Sequence, residues 1–348
     1  MRVSVIVPVR NESACIRGTL LSLACQQFPV DDFEIVVIDG ASDDNSPAIV
    51  HDLQASCPNL HLFENPKRLA SAGRNVGVRN ARGELIVIVD GHCQVRDPHY
   101  LRRLVEAFEA SGADCLGRPQ PLRSERPTST QRAIAAARTS WLGHNPDSAI
   151  YSDVARFIAP DNVAVAYRRE VFDRVGLFDE SFDACEDVDF NTRVRRAGLT
   201  CYFTPEIAVE YQPRGTLRGL AYQMMRYGRG RARLGRKHPR MVTAASLVPP
   251  LWLLWLFAGA VVSLAWVPFA IVFSASLAAY LLLVLAESLR VWRNAHATPL
   301  LRLPLVFATI HVGFGWGYLR ETVVGLPTLT VRPAQWITTR LTRLFHRA

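Results

Sequence analysis

The chain has little acid where it has most base. After residue 211 it carries 17 Lys and Arg against two acidic residues, Glu287 and Glu321, a net +15, whereas residues 1–211 carry −6. Within a total of +9 over 348 residues, that separation argues against a nucleic-acid partner, which would need a basic face on the long N-terminal part. Cysteine pairing is also missing. The seven cysteines are scattered, with no CxxC or zinc-like spacing, which reads as reduced thiols of a cytoplasmic domain and excludes a disulfide framework. The N-terminus, MRVSVIVPVRNE, lacks the long apolar core and small-residue cleavage site of a signal peptide and reads as a buried strand. With 49% hydrophobic and 20% charged residues, a disordered or collagen-like chain is excluded, and the length predicts about two structural units.

Charge is absent altogether from Met241 to Ala286, a run of 46 positions. One membrane span needs about 20 residues, so the run predicts two spans, 243–262 and 267–286, with a tight turn near Ser263 to Pro268 and a bend at Pro249-Pro250. Arg226, Arg229, Arg231, Arg233, Arg236, Lys237 and Arg240 precede the first span, and Arg290 and Arg293 follow the second. The positive-inside rule puts both flanks, and with them the N-terminal domain, in the cytoplasm. A third apolar stretch, Leu303 to Leu319, holds His311 and three glycines and is followed by a basic tail. It is expected to be re-entrant or interfacial, because crossing would carry that tail outside. In the tail, Trp336, Ile337, Leu341, Leu344 and Phe345 can share one helical face opposite Arg340, Arg343 and Arg347, which suits a helix on anionic headgroups.

The N-terminal part alternates short apolar runs with amphipathic ones. Val3 to Val7, Phe33 to Ile38, Leu60 to Phe63 and Leu85 to Val89 predict buried strands, separated by helices over Glu12 to Leu23, Ser46 to Ala55 and Ala70 to Ala81. This order predicts an α/β domain with a Rossmann-like, mostly parallel sheet that binds ligands at the carboxyl ends of its strands. Arg118 to Thr130, rich in Pro, Ser and Arg, predicts a loop, either a lid or a solvated connection. Polar residues gather where the strands end: Pro8 to Glu12, Asp39 to Asp44, and Asp90-Gly91-His92. Three acidic strand ends in one crevice suit a base, a ribose and a metal-bound diphosphate.

The strings VSVIVPVRNE, VVIDGASDDNS, AGRNVGVRNARGELIVIVDGH and CEDVDFNTRVRRAG, in this order over residues 1–215, resemble the catalytic domain of glycosyltransferase family 2, of GT-A fold. Asp-Gly-x-Ser-x-Asp at 39–44 and Asp-x-His at 90–92 look most like the ExoA-type glucosyltransferases of succinoglycan biosynthesis. The resemblance implies that Pro8 and Glu12 border the uridine of a UDP-sugar, that Asp39 accepts from the uracil imide, and that Asp44 belongs to the same loop. It implies that Asp90 faces the ribose and the metal-bound diphosphate. His92 stands where the family usually has a second Asp, so either Asp90 and His92 both ligate the cation, or Asp90 does and His92 supports it. Imidazole suits Mn²⁺ better than Mg²⁺. Arg74 could pair with a diphosphate oxygen or lie on a helix surface.

Inversion at an anomeric carbon needs a base on a segment separate from the nucleotide site. The resemblance makes Asp187 that base and Glu186 its neighbour in the acceptor pocket, with Asp189 a weaker alternative. Gln223-x-x-Arg226-Tyr227 matches the Gln-x-x-Arg-Trp signature of membrane-bound polysaccharide synthases with Tyr for Trp, which implies that it holds the acceptor sugar and a diphosphate; Arg214 is a weaker phosphate candidate. The organisation expected is a catalytic domain over 1–215, a basic interface helix over 216–240, two transmembrane helices over 241–287, and re-entrant or interfacial helices with the tail over 288–348. The function expected is transfer of a hexose, glucose first, from a UDP-sugar to a polyprenyl-diphosphate-linked saccharide at a bacterial inner membrane, in exopolysaccharide synthesis. A polyprenyl-phosphate acceptor, a processive synthase and a non-catalytic membrane scaffold are the alternatives.

Overall fold

The computed structural model describes residues 1–144, 148–295 and 298–330, so the tail helix expected at 336–347 lies outside the described residues. The first half runs β1 (Val3–Val9), α1 (Ile16–Ala24), β2 (Phe33–Asp39), α2 (Ser46–Gln54), β3 (Leu60–Glu64), α3 (Ala70–Asn80), β4 (Leu85–Ile88), β5 (Cys93–Gln94), α4 (Tyr100–Ser111) and β6 (Cys115–Gly117). Then come α5 (Ser129–Arg138), β7 (Arg156–Ile158), α6 (Pro160–Val163), β8 (Ala164–Arg168), α7 (Arg169–Val175), α8 (Glu186–Arg196), β9 (Cys201–Phe203) and β10 (Glu210–Tyr211). Four long helices close the chain: α9 (Leu217–Lys237), α10 (Ala244–Ala265), α11 (Val267–Asn294) and α12 (Leu303–Thr330).

Eight strands form one sheet in the order β3-β2-β1-β4-β8-β6-β9-β7, while β5 and β10 pair as a separate antiparallel ribbon. The first four strands are mutually parallel; β8 runs antiparallel to both β4 and β6. Period-two alternation sends Val3, Val5, Val7 and Val9 into one core under α1 and α4, and Ile6, Val36, Ile38, Ile86 and Ile88 into a second under α3 and α8. Strand order reverses where β1 lies between β2 and β4, so the crevice expected of this topology opens at their carboxyl ends. The helix expected from Glu12 begins only at Ile16. The physical reason is local: the Glu12 and Ser13 amides donate to Ser46 Oγ (2.9 Å) and Asp44 Oδ2 (3.0 Å), which holds this segment as a turn above the crevice.

One polar group is built into the sheet. Glu34, whose side chain is 1% exposed, accepts from Ser4 Oγ (2.6 Å) and from the Arg82 backbone (2.6 Å) and guanidinium (2.8 Å). Burial pushes its carboxyl up, but these donors outweigh it and hold the pKa below the ordinary value. A lowered folded-state pKa stabilises above the unfolded value and is lost as pH falls through the folded one. Glu34→Gln is therefore expected to lower the melting temperature at neutral pH, with the gap to wild type closing below about pH 4; thermal unfolding across pH checks this.

Helices α10 and α11, and the segment Leu300–Gly325 that opens α12, are long and apolar enough to cross a membrane. Helix α10 continues through Pro249 and Pro250, and Trp266 alone separates it from α11. The far end of α11 returns to the catalytic domain, where Glu287 accepts from Trp141 Nε1 at 2.7 Å and Val284 and Val291 pack with Ala133, Ile134 and Ala137 of α5. Helix α12 is continuous over 28 residues where a shorter re-entrant or interfacial segment was expected. Its glycines are contact points: a Cβ on Gly317 would lie 2.1 Å from the Met225 carbonyl oxygen, and one on Gly228 would lie 2.0 Å from that of Phe314. Helices α9 and α12 thus touch backbone to backbone. Gly228→Ala should destabilise the chain by about 1–3 kcal/mol through overpacking, read as a lower unfolding midpoint in detergent.

Candidate active site

The crevice is held open by hydrogen bonds among its own loops. Asp39, ending β2, accepts from Ser42 Oγ (2.6 Å) and the Ser42 amide (3.0 Å). Asn11 and Ala41 adopt positive φ (56° and 51°), and Asn11 ties the two loops by accepting from the Asp43 amide (2.8 Å) and donating through its own amide to Ser42 Oγ (2.9 Å). Asp44 is occupied on both oxygens, by Ser46 and by the Ser13 amide. Burial raises its pKa, but these donors hold it well below the carboxylate range. Its visible work is to join the β1 loop to the start of α2. Pro8 lies within β1, opposite Ile38 of β2.

Asp90 follows β4 and keeps a third of its side-chain surface open. Burial raises its pKa, yet Arg74, His92 and Arg118 together hold the carboxyl below its usual range. Glu12, expected at the uridine, contacts His92: Oε1 lies 2.8 Å from Nδ1. The other ring nitrogen, Nε2, is buried and unpartnered, and the ring stands edge-on to Tyr211 at 4.6 Å. A carboxylate on Nδ1 fixes the tautomer that leaves Nε2 as a lone-pair donor, the arrangement usual for metal-binding histidines. Among the described residues no three His, Cys, Asp or Glu gather as a metal cluster. Asp90 and His92 would therefore hold a cation only together with oxygens of a bound diphosphate, a common way of holding Mg²⁺-like ions.

Arg74, on α3, is 11% exposed and is not a surface residue. It reaches Asp90 Oδ1 at 3.6 Å and Glu186 Oε1 at 3.1 Å and lies over the Phe178 ring at 5.6 Å. Its neighbour Asn75 donates to the Phe178 carbonyl and to Glu180 and accepts from the Phe178 amide, each at 2.9 Å, pinning the loop that leads to α8.

Three carboxylates open α8 and diverge. Glu186 is buried against Arg74, and burial raises its pKa against that cation's pull. Asp187 is exposed, and its only side-chain hydrogen bond among the described residues is from the adjacent Val188 amide at 2.9 Å. Asp189, the weaker alternative base, is fully buried on the far side, 2.8 Å from His238 Nε2, 2.7 Å from Lys237 Nζ and 3.2 Å from Arg193 Nε. Of the three, only Asp187 is exposed to solvent.

The motif on α9 divides by helix face. Gln223 donates to the hydroxyls of Tyr211 (2.9 Å) and Tyr227 (3.3 Å). Arg226 turns from them and donates to the Asp183 carbonyl oxygen. Arg229 and Arg233 pair with Asp183 at 3.1 and 3.0 Å, and Arg229, Arg233 and Arg236 with Glu321 of α12. Arg229, Arg233 and Arg236 of the basic run thus meet protein carboxylates. Arg214 is part-buried among Tyr211, Glu12 and Tyr227. The connection Arg118 to Thr130 is tied down by the Arg123 amide to the Tyr211 carbonyl (3.0 Å) and by Thr128 capping α5. Three residues beside the site carry no sequence motif: Tyr211, whose ring meets His92, Arg118, whose charge acts on Asp90, and Arg138, at the end of the alanine-rich α5 and over the Tyr227 ring.

The glycosyl transferase family 2 model matches residues 4–176. The succinoglycan biosynthesis protein ExoA of Rhizobium meliloti (strain 1021) is 30% identical over 247 residues, 70% of this chain and 73% of that protein. The dolichyl N-acetyl-alpha-D-glucosaminyl phosphate 3-beta-D-2,3-diacetamido-2,3-dideoxy-beta-D-glucuronosyltransferase of Methanococcus voltae is 21% identical and aligns over 94% of this chain and 98% of its own length. The mannosyltransferase PcManGT from Pyrobaculum calidifontis, solved with GDP-Man and Mn²⁺, superposes with a TM-score of 0.59 at 21% identity, covering 90% of this chain and 87% of that one. With this relatedness, strand order and crevice, the chain belongs to glycosyltransferase family 2: it is a membrane-associated glycosyltransferase of GT-A fold.

Proposed function

We propose that this chain transfers a hexose, glucose first, from a UDP-sugar to a hydroxyl of a polyprenyl-diphosphate-linked saccharide, with inversion, at the cytoplasmic face of a bacterial inner membrane. The observation that carries the reading is the divergence of the α8 carboxylates. Asp187 is open to solvent, while its neighbour Glu186 is joined through Arg74 to Asp90. The residue proposed as base is thus next in sequence to a carboxylate that one guanidinium joins to Asp90. The acceptor hydroxyl gives its proton to Asp187 as its oxygen attacks the anomeric carbon and the diphosphate leaves from the opposite face. Arg74 keeps the two carboxylate centres in register. A divalent cation, when bound by Asp90, His92 and the diphosphate, would neutralise charge on the leaving group. The lipid-linked acceptor is supported by the apolar helices beside the crevice and by the names of the R. meliloti and M. voltae relatives, one a succinoglycan biosynthesis protein and the other acting on a dolichyl sugar phosphate.

The test is nucleotide release by the detergent-purified chain with UDP-glucose, other UDP-sugars or GDP-mannose. Each donor is offered with a polyprenyl-diphosphate saccharide, with polyprenyl phosphate or with no acceptor. Release that needs the lipid-linked saccharide and a UDP-sugar supports the proposal; release with polyprenyl phosphate alone, or only from GDP-mannose, overturns it. EDTA should abolish release and Mn²⁺ should restore it better than Mg²⁺. His92→Asp should shift that preference toward Mg²⁺, because oxygen replaces nitrogen in the donor set.

A further inference from the structure

Helix α9 presents two stripes of side chains with different fates. Arg226, Arg229, Arg233 and Arg236 follow one another at three- and four-residue steps and are satisfied by Asp183 and Glu321. Gln223, Tyr227 and Arg231, each four residues apart, form the other stripe. Against it packs the start of α8: a Cβ on Gly230 would lie 2.5 Å from the Ala184 carbonyl oxygen and 2.8 Å from Cys185 Sγ, immediately before Glu186 and Asp187. Arg231 has no carboxylate or carbonyl partner among the described residues.

A second cation joins it from α5. Arg138 lies over the Tyr227 ring at 5.8 Å and reaches Gln223 Oε1 at 3.5 Å, with no carboxylate paired to it among the described residues; its neighbours are Tyr227, Tyr151 and Tyr211. Arg138 and Arg231 converge on His144, where burial and then these two charges lower the imidazole pKa to about 4. Partly buried cations without counter-charges are costly unless an anion completes them. We propose that Arg138 and Arg231, on either side of Tyr227, form the site for the phosphoryl head of the lipid-linked acceptor.

Two features favour the acceptor over the donor as the source of that anion. Tyr211 and Gln223 stand between these arginines and His92, with the Tyr211 ring on His92 and its hydroxyl held by Gln223. Just beyond Arg138, Trp141 leaves 54% of its surface exposed while its indole is tied to Glu287 of α11, and the apolar cluster of Leu220, Met224, Leu303 and Phe307 continues toward the spans. A prenyl chain leaving a phosphoryl group here meets apolar surface at once. The guanidiniums supply forked donors for phosphate, and Tyr227 supplies a flat face for the first sugar. This inference rests on the proposed transfer to a lipid-linked acceptor and names the residues that would hold it.

Binding of farnesyl diphosphate and of UDP to the full-length chain in detergent tests it. Arg138→Gln and Arg231→Gln should each weaken farnesyl diphosphate binding about tenfold, the loss expected for one charge-assisted contact. UDP affinity should stay within about twofold, and Arg218→Gln, at an exposed position of α9, should change neither. Arg138→Lys, which keeps charge without the fork, should recover part of the loss, and matching melting curves show that the variants fold. Loss of UDP affinity in place of farnesyl diphosphate affinity would assign the arginines to the donor and overturn the inference. So would unchanged affinity for both ligands in both variants. If the folded wild type binds UDP but not farnesyl diphosphate, this site fails while the transferase reading stands; if it binds neither UDP nor any sugar nucleotide, the reading itself fails.

Discussion

Asp187→Asn is expected to lower the transfer rate by about 10²–10⁴-fold, the contribution of a positioned general base, with UDP affinity within about twofold of wild type. The amide is isosteric, and its oxygen can still accept from the Val188 amide that holds Asp187 at 2.9 Å. Because the position is exposed, little stability should be lost, and the loss should fall on kcat. Glu186→Gln differs in kind. Glu186 is 6% exposed and is the nearer of two carboxylates holding Arg74, so its neutralisation should disturb Asp90 as well and weaken donor binding. Measuring kcat and UDP affinity for both variants separates a base from a positioning residue.

Asp189→Ala should cost about 3–5 kcal/mol of stability, the penalty for removing one member of a buried ion pair. Asp189 has no exposed surface and holds two cations, Arg193 and Lys237, together with the His238 ring. Lys237 retains Asp179 at 2.6 Å and Arg193 retains the carbonyls of Val175 and Leu177. His238 is left worst, since its Nδ1 is already buried without a partner and Nε2 would lose its own. The pair ties the end of α9 to the helix that carries Asp187, so activity should fall with the unfolding midpoint, and Asp189→Asn should fall between the two. Thermal unfolding in detergent and kcat on the same samples decide this. An unchanged midpoint with lost chemistry, beside an active Asp187→Asn, would make Asp189 the base.

What could be read from the sequence was mostly local. Strands β1 to β4 and helices α2 and α3 lie within a residue or two of their expected bounds because apolar alternation and turn residues are short-range signals. The acidic strand ends gather in one crevice for the same topological reason. Pairing between distant segments was hidden. The excess of base after residue 211 is visible in composition, but that Arg229 and Arg233 would meet Asp183 and Glu321 depends on tertiary geometry. The expectation of a re-entrant third stretch rested on its length and on the basic tail that follows it, and its glycines gave no sign of what they contact. In the fold they allow backbone contact: Gly313 and Gly317 face α9, and Gly315 faces Pro249 of α10. His92 was legible as a departure from the family pattern, but not its bond to Glu12, which lies 80 residues away.

The central claim is displacement by a hydroxyl deprotonated at Asp187, on the face opposite the departing diphosphate. Its most direct test is the anomeric configuration of the product formed from UDP-α-glucose and a polyprenyl-diphosphate saccharide, read by NMR coupling at the new linkage. The account predicts a β-glucoside, formed about 10²–10⁴-fold more slowly by Asp187→Asn. An α-glucoside, formed with retention, would contradict it.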